Sequence, residues 1–145
     1  MKKLAMGLFI CGVLLRAGAE ELNWTTDVPK AQATAKAENK LVMMDFTGSD
    51  WCGWCIKLNK EVFSKPEFAE YAKKSLVLVE VDFPRAKEQS ETLKKANQNL
   101  QKKYSIEGYP TIIVLNGDGK QVGQLGYMQG GPKAFIAQLE KLKKS

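Results

Sequence analysis

A chain of 145 residues, 44% of them hydrophobic, is long enough to bury one core and short for two domains. Its formal charge is +6, of which Lys2, Lys3 and Arg16 supply three at the N-terminus. The remaining +3 lies in lysines such as Lys94-Lys95, Lys102-Lys103 and Lys141, Lys143 and Lys144, interrupted by acids and without interleaved aromatics, so nucleic acid is not an expected partner.

Residues 1–19 read as a secretory signal peptide. Lys2-Lys3 form a basic start, Leu4 to Leu15 an apolar run, and Ala17-Gly18-Ala19 a small-residue cleavage site before Glu20. The apolar run is shorter than the about 20 residues of a membrane span, so cleavage after Ala19 is expected rather than retention as an anchor. The domain is then 20–145, exported to the periplasm or an equivalent compartment. Cys11 leaves with the signal, and Cys52 and Cys55 are the cysteines of the mature chain.

Glu21 to Thr26 reads as extended, and Asp27 can cap a helix running through Pro29 to Asn39. Leu41 to Phe46 is apolar apart from Asp45 and fits a buried central strand. Thr47-Gly48-Ser49-Asp50 is a turn that delivers Trp51 and Cys52 to the next helix. That helix carries Cys55, Ile56, Leu58, Val62 and Phe63. Ser64-Lys65-Pro66-Glu67 reads as a capping box opening a second segment, with Phe63 and Phe68 placed as a hydrophobic staple. Leu76 to Asp82 is a second strand, and the helical crossover before it implies parallel pairing.

Lys87 to Tyr104 predicts a helix with Leu93, Ala96, Leu100 and Tyr104 on one face. Thr111–Leu115 and Gln121–Leu125 are strands joined by the hairpin chemistry of Asn116-Gly117-Asp118-Gly119-Lys120. Gly131-Pro132 opens a last helix with Phe135, Ile136, Leu139 and Leu142 on its apolar face.

The chemistry centres on Trp51-Cys52-Gly53-Trp54-Cys55. Two thiols at this spacing can close a small ring or share a metal, so spacing alone leaves redox chemistry and metal binding both open. A purely structural bridge between near neighbours closes almost no loop and would add little stability. No histidine occurs in the chain and there is a single C-x-x-C, so a closed zinc site would need carboxylates or a second subunit. Covalent haem attachment needs histidine where Ile56 stands.

The order strand, C-x-x-C helix, strand, helix, Tyr109-Pro110-Thr111 strand, hairpin strand, helix resembles the thioredoxin fold over nearly the whole mature chain. That is an α/β fold with a mixed central sheet and helices on both faces. More closely, Asp45 to Cys55 with Lys57-Leu58, Glu61-Val62-Phe63 and Pro66-Glu67-Phe68 resembles exported bacterial thioredoxin-like proteins related to the reductase domain of membrane thiol–disulfide interchange proteins.

The resemblance implies an exported thiol–disulfide oxidoreductase acting on protein disulfides through a reversible Cys52–Cys55 disulfide, with no bound cofactor and no metal. Cys52, at the amino end of its helix, would be the nucleophile, and Cys55, one turn on and more buried, would resolve the mixed disulfide. Pro110 would be the cis-proline facing the pair. Trp51, Gly53, Trp54, Tyr109 and Pro110 would form the substrate-binding face, with the Tyr109 backbone pairing an extended substrate. Partners would be protein thiols or disulfides and an upstream redox protein, membrane-bound in the related group, with the chain itself a monomer.

Neither Gly53 nor Trp54 adds positive charge beside Cys52, which points to a reducing pair and a reductase. The oxidase or isomerase direction stays open, as does a peptide-binding or folding-assistance module with secondary redox activity. Asp45 is a candidate proton acceptor for Cys55. The chain departs from thioredoxins here: Asp45 is seven positions before Cys52 where they have six, and Leu78 falls near the place of the lysine that partners that acid. Between Asp82 and Tyr109 the chain is also longer, by roughly a dozen residues, which reads as a surface loop and helix over one sheet edge.

Overall fold

The computed structural model describes residues 21–144, so the signal-like segment 1–19 with Cys11 lies outside the described residues. Five strands make one mixed sheet in the order β1-β3-β2-β4-β5: β1 (Trp24–Thr25), β2 (Leu41–Thr47), β3 (Leu76–Asp82), β4 (Thr111–Leu115) and β5 (Gln121–Leu125). β3 lies parallel to both β1 and β2, as the crossover helices require, while β4 runs antiparallel to β2 and β5.

Side chains alternate across a strand, and that alternation assigns the two cores. Leu41 and Met43 of β2, Leu76 and Leu78 of β3, and Ile112 and Val114 of β4 face one layer of helices. That layer holds α2 (Gly53–Leu58), the π-helical turn Asn59–Phe63, α3 (Pro66–Ser75) and α5 (Gly131–Lys143). Val42, Met44, Phe46, Val79, Val81, Ile113 and Leu115 face the other, where α1 (Val28–Glu38) contributes Ala31 and Ala35 and α4 (Glu91–Lys103) contributes Leu100. All seven residues of β2 are buried, as are all five of β4, so the strand that leads to the cysteines runs through the enclosed centre of the sheet. Asp45 is the residue that puts a charge on its face towards α2.

Local chemistry sets most boundaries. Asp27 caps α1 by accepting the Lys30 N–H at 3.0 Å, and Asn39 ends it in the left-handed region. Phe63 and Phe68 meet at 5.0 Å between ring centroids, as the staple predicts.

Three expectations differ. The residue before α3 is Lys65, with no side-chain cap, because Pro66 takes the first helical position; Ser64 closes the π-helical turn through its N–H to the Asn59 carbonyl at 2.8 Å. α4 starts at Glu91 rather than Lys87, capped by Ser90. Its buried residue is Asn97, whose Nδ2 donates to the Asp82 carbonyl at 3.0 Å, whereas Ala96 is exposed.

Candidate functional site

Past β2 the chain turns sharply: the Trp51 and Cys52 N–H groups both donate to the Gly48 carbonyl, at 3.2 and 2.8 Å. A Cβ at Gly48 would overlap the Trp51 indole, so this turn requires glycine. Cys52 then occupies the cap position of α2, and its Sγ accepts the Cys55 N–H at 3.3 Å. The two cysteines are disulfide-bonded, with Cα atoms 5.2 Å apart. Their burial hardly differs, at 7% and 5% exposure, so the expected contrast between an open nucleophile and a covered partner is small in this oxidised form.

The candidate docking residues divide into two groups. Trp51 is half-buried and fixed: its Nε1 donates to the Phe83 carbonyl at 2.7 Å, its ring meets Tyr109 edge-on at 5.9 Å, and the Arg85 guanidinium covers it at 3.7 Å. Tyr109 packs in turn on Phe83 at 5.2 Å and accepts the Gln101 amide at 3.0 Å. The Tyr109–Pro110 peptide is cis, and these ring contacts bring its loop beside the C-x-x-C turn. Trp54, by contrast, is 57% exposed, against Tyr127 at 5.0 Å and with the Lys57 ammonium 5.1 Å from its ring. Gly53 has open space around it, so Gly53 and Trp54 present the outer side of the cysteines. Exposed Ile56 continues that apolar surface.

Behind the pair lies a cavity of about 360 Å³ lined by Cys55, Asp45, Glu80, Thr47, Ser49 and Asn59, among others. Asp45 is 9% exposed, and its Oδ1 has no hydrogen-bond partner. Burial first, then the Glu80 and Asp82 charges, push its carboxyl up to about 7. Asp45 and Cys55 therefore line one cavity, and no lysine or arginine is among the residues that line it.

A thioredoxin-like domain family matches residues 28–143. The chain belongs to that family. It is 32% identical to the disulfide bond reductase DsbH of Chlamydia pneumoniae, over 97% of this chain and 91% of that protein. It superposes on the solved structure of a DsbH oxidoreductase with a TM-score of 0.82 at 30% identity, covering 99% of this chain and 94% of the other. It is also 30% identical to the thiol:disulfide interchange protein DsbD of Pasteurella multocida, over 77% of this chain and 18% of that longer protein. With its Cys52–Cys55 pair, this thioredoxin-like chain is a thiol–disulfide oxidoreductase of the DsbH and DsbD type.

The residues that sequence reading missed join the longer turn and the longer segment after β3 into one device. The lengthened turn places Asp50 so that its carboxylate accepts the N–H groups of Arg85, Ala86 and Lys87 at 3.0, 2.8 and 2.8 Å. Ser49 binds the Asp82 carboxylate through both its N–H and its hydroxyl, and Lys87 closes on Asp82 at 3.2 Å. The longer segment after β3 is thus built onto the active-site turn. A serine-aspartate pair in that turn was the available signal, but its partners lie more than thirty residues away.

The three N–H bonds hold the Asp50 carboxyl below the usual carboxylate range. A carboxyl lowered in this way stabilises at neutral pH, and its contribution is lost only as pH falls through the lowered folded value. Asp50→Ala is expected to accelerate hydrogen exchange at the Arg85, Ala86 and Lys87 amides by about tenfold or more at pH 7. Unchanged protection would mean that the loop is held by something else.

Proposed function

We propose that the protein is an exported disulfide reductase that passes two electrons from the Cys52–Cys55 dithiol to disulfides in other proteins. The observation that carries the direction is the likeness along almost the whole chain to a protein named as a disulfide bond reductase. Export rests on the signal-like residues 1–19, and the mature domain is taken as 20–145. An upstream dithiol protein, membrane-bound by analogy with the interchange proteins, would recharge the pair.

In the reduced protein, Cys52 attacks as thiolate. The Cys55 N–H that reaches its sulfur, and the start of the helix behind it, favour that charge. Attack on a substrate disulfide forms a mixed disulfide and expels one substrate thiolate. Cys55 then attacks Cys52 Sγ, closes the internal disulfide and expels the second. Asp45 takes the Cys55 proton across the shared cavity, which needs a carboxylate whose affinity for a proton is raised towards neutral pH. Exposed Trp54 and Gly53 meet the substrate around the sulfurs, and the Tyr109–Pro110 loop meets its backbone, while Trp51 fixes that loop against the turn.

Redox titration against glutathione or dithiothreitol tests the direction. The pair is expected to lie nearer the about −270 mV of thioredoxins than the about −120 mV of strong disulfide donors. A value near the latter would overturn the reductase assignment. A second reading, a peptide-holding module, is favoured by exposed Trp54 and Ile56 at 57% and 49%.

A further inference from the structure

Asp45 has a second carboxylate across the ladder from it. β2 and β3 pair with Asp45 and Glu80 as Cα partners, and strand alternation puts both on the face that carries α2. Both line the cavity that holds Cys55. Glu80 is only half-buried and also lines a neighbouring opening with Asp82 and Lys87, so it stands between the enclosed sulfur and the surface.

The other groups around Asp45 are accounted for. β4 sets Ile112 opposite it, and Trp24, Asn59 and Phe63 line the cavity without charge. Asp82 is a further acid on the Glu80 face of β3, and the Lys87 ammonium is engaged with it at 3.2 Å. The unpartnered Asp45 Oδ1, buried and lining the cavity with Cys55, has a carboxylate for its strand neighbour where thioredoxins supply a lysine nearby.

Resting on the oxidoreductase reading above, we propose that Glu80 is a positioning residue for the proton transfer at Cys55: its charge adds to burial in favouring a proton on Asp45, and its carboxylate passes that proton outward through the cavity they share. The step balances. The Cys55 thiol gives its proton to Asp45, the resulting thiolate forms the bond to Cys52 Sγ, and the mixed disulfide breaks with its electron pair leaving on the substrate sulfur. The cysteine pair is oxidised by two electrons as the substrate disulfide is reduced. The proton moves from Asp45 to Glu80 and from there to water.

The order of ionisation follows from burial. Glu80 is the more exposed and ionises first, while Asp45 is still neutral and exerts no charge on it; Asp45 must then ionise beside a carboxylate already charged.

Two measurements on Glu80→Gln test this. The first follows the Asp45 carboxyl by carbon-13 NMR in the oxidised protein. The midpoint is expected to fall by about one pH unit or more when the Glu80 charge is removed. This readout needs no substrate, so it separates the carboxylate coupling from the oxidoreductase assignment. The second follows, in a single turnover, release of the second substrate thiol from a mixed disulfide on Cys52. Its rise with pH should move to lower pH with the Asp45 midpoint, and its plateau should fall because Asp45 is a weaker base. Glu80→Ala repeats both measurements without the amide. An Asp45 midpoint unmoved in the two variants, or a rate lowered equally at every pH, overturns the proposal.

Discussion

Cys52→Ser is expected to reduce insulin-disulfide reduction to the uncatalysed background while leaving the fold intact. The serine keeps the shape of the cap position, and loss of a bridge that closes so short a loop removes little stability. What it removes is the attacking sulfur, for which a hydroxyl at neutral pH is no substitute.

Cys55→Ser should fail differently. Cys52 can still attack, but nothing resolves the product, so mixed disulfides with client proteins accumulate and can be isolated by non-reducing electrophoresis. The pair of variants also separates the two readings of the exposed surface. Trp54 and Ile56 are untouched by either change, so a peptide-holding protein would suppress aggregation equally well with serine at position 52. Full aggregation suppression by Cys52→Ser, with no disulfide reduction in the unmodified protein, would sink the reductase assignment.

The fold was legible because continuous apolar runs, hairpin residues and helix caps are local signals. β4, β5 and α5 stand where the hairpin residues and Gly131-Pro132 placed them, and β2 fills the apolar run and one residue more, Thr47. Of the candidate site, spacing marks the two cysteines that the structure joins as a disulfide, and resemblance marks the Tyr109–Pro110 peptide that is cis.

The rest depends on distant partners. Nothing local to Asp50 says that its carboxylate will hold three amides of residues 85–87, and nothing local to Glu80 says that it will face Asp45. Both follow only once the parallel register of β2 and β3 is fixed. The π-helical turn has the same character, since its widened hydrogen bond from Ser64 to Asn59 leaves no compositional trace. Trp51 and Trp54 looked equivalent in sequence, yet one is fixed between loops and the other faces solvent, because the Phe83 carbonyl and Arg85 lie on the side where Trp51 points.

Asp45→Asn is expected to make the oxidised protein more stable at pH 8 and no more stable at pH 4. The Asp45 carboxyl is pushed up from 3.8 to about 7, so between those values the folded chain holds a proton that the unfolded chain has released. Stability therefore falls as pH rises through that window and levels off above it. A displacement of this size corresponds to about 4 kcal/mol at pH 8, using roughly 1.4 kcal/mol for each pH unit.

Asparagine keeps the shape and removes the charge, so urea denaturation of the two proteins across pH 4–8 should show curves that meet at the acid end and separate towards neutrality. A gap independent of pH would place the effect in packing, and no gap at pH 8 would mean that the carboxylate is solvated after all. If the separation is found, then β2, buried along its whole length, carries a group that weakens the fold at neutral pH, beside the cavity that Cys55 also lines. A proton-transfer role gives that cost a reason, because the burial that destabilises the ionised carboxylate is also what lets it accept a thiol proton.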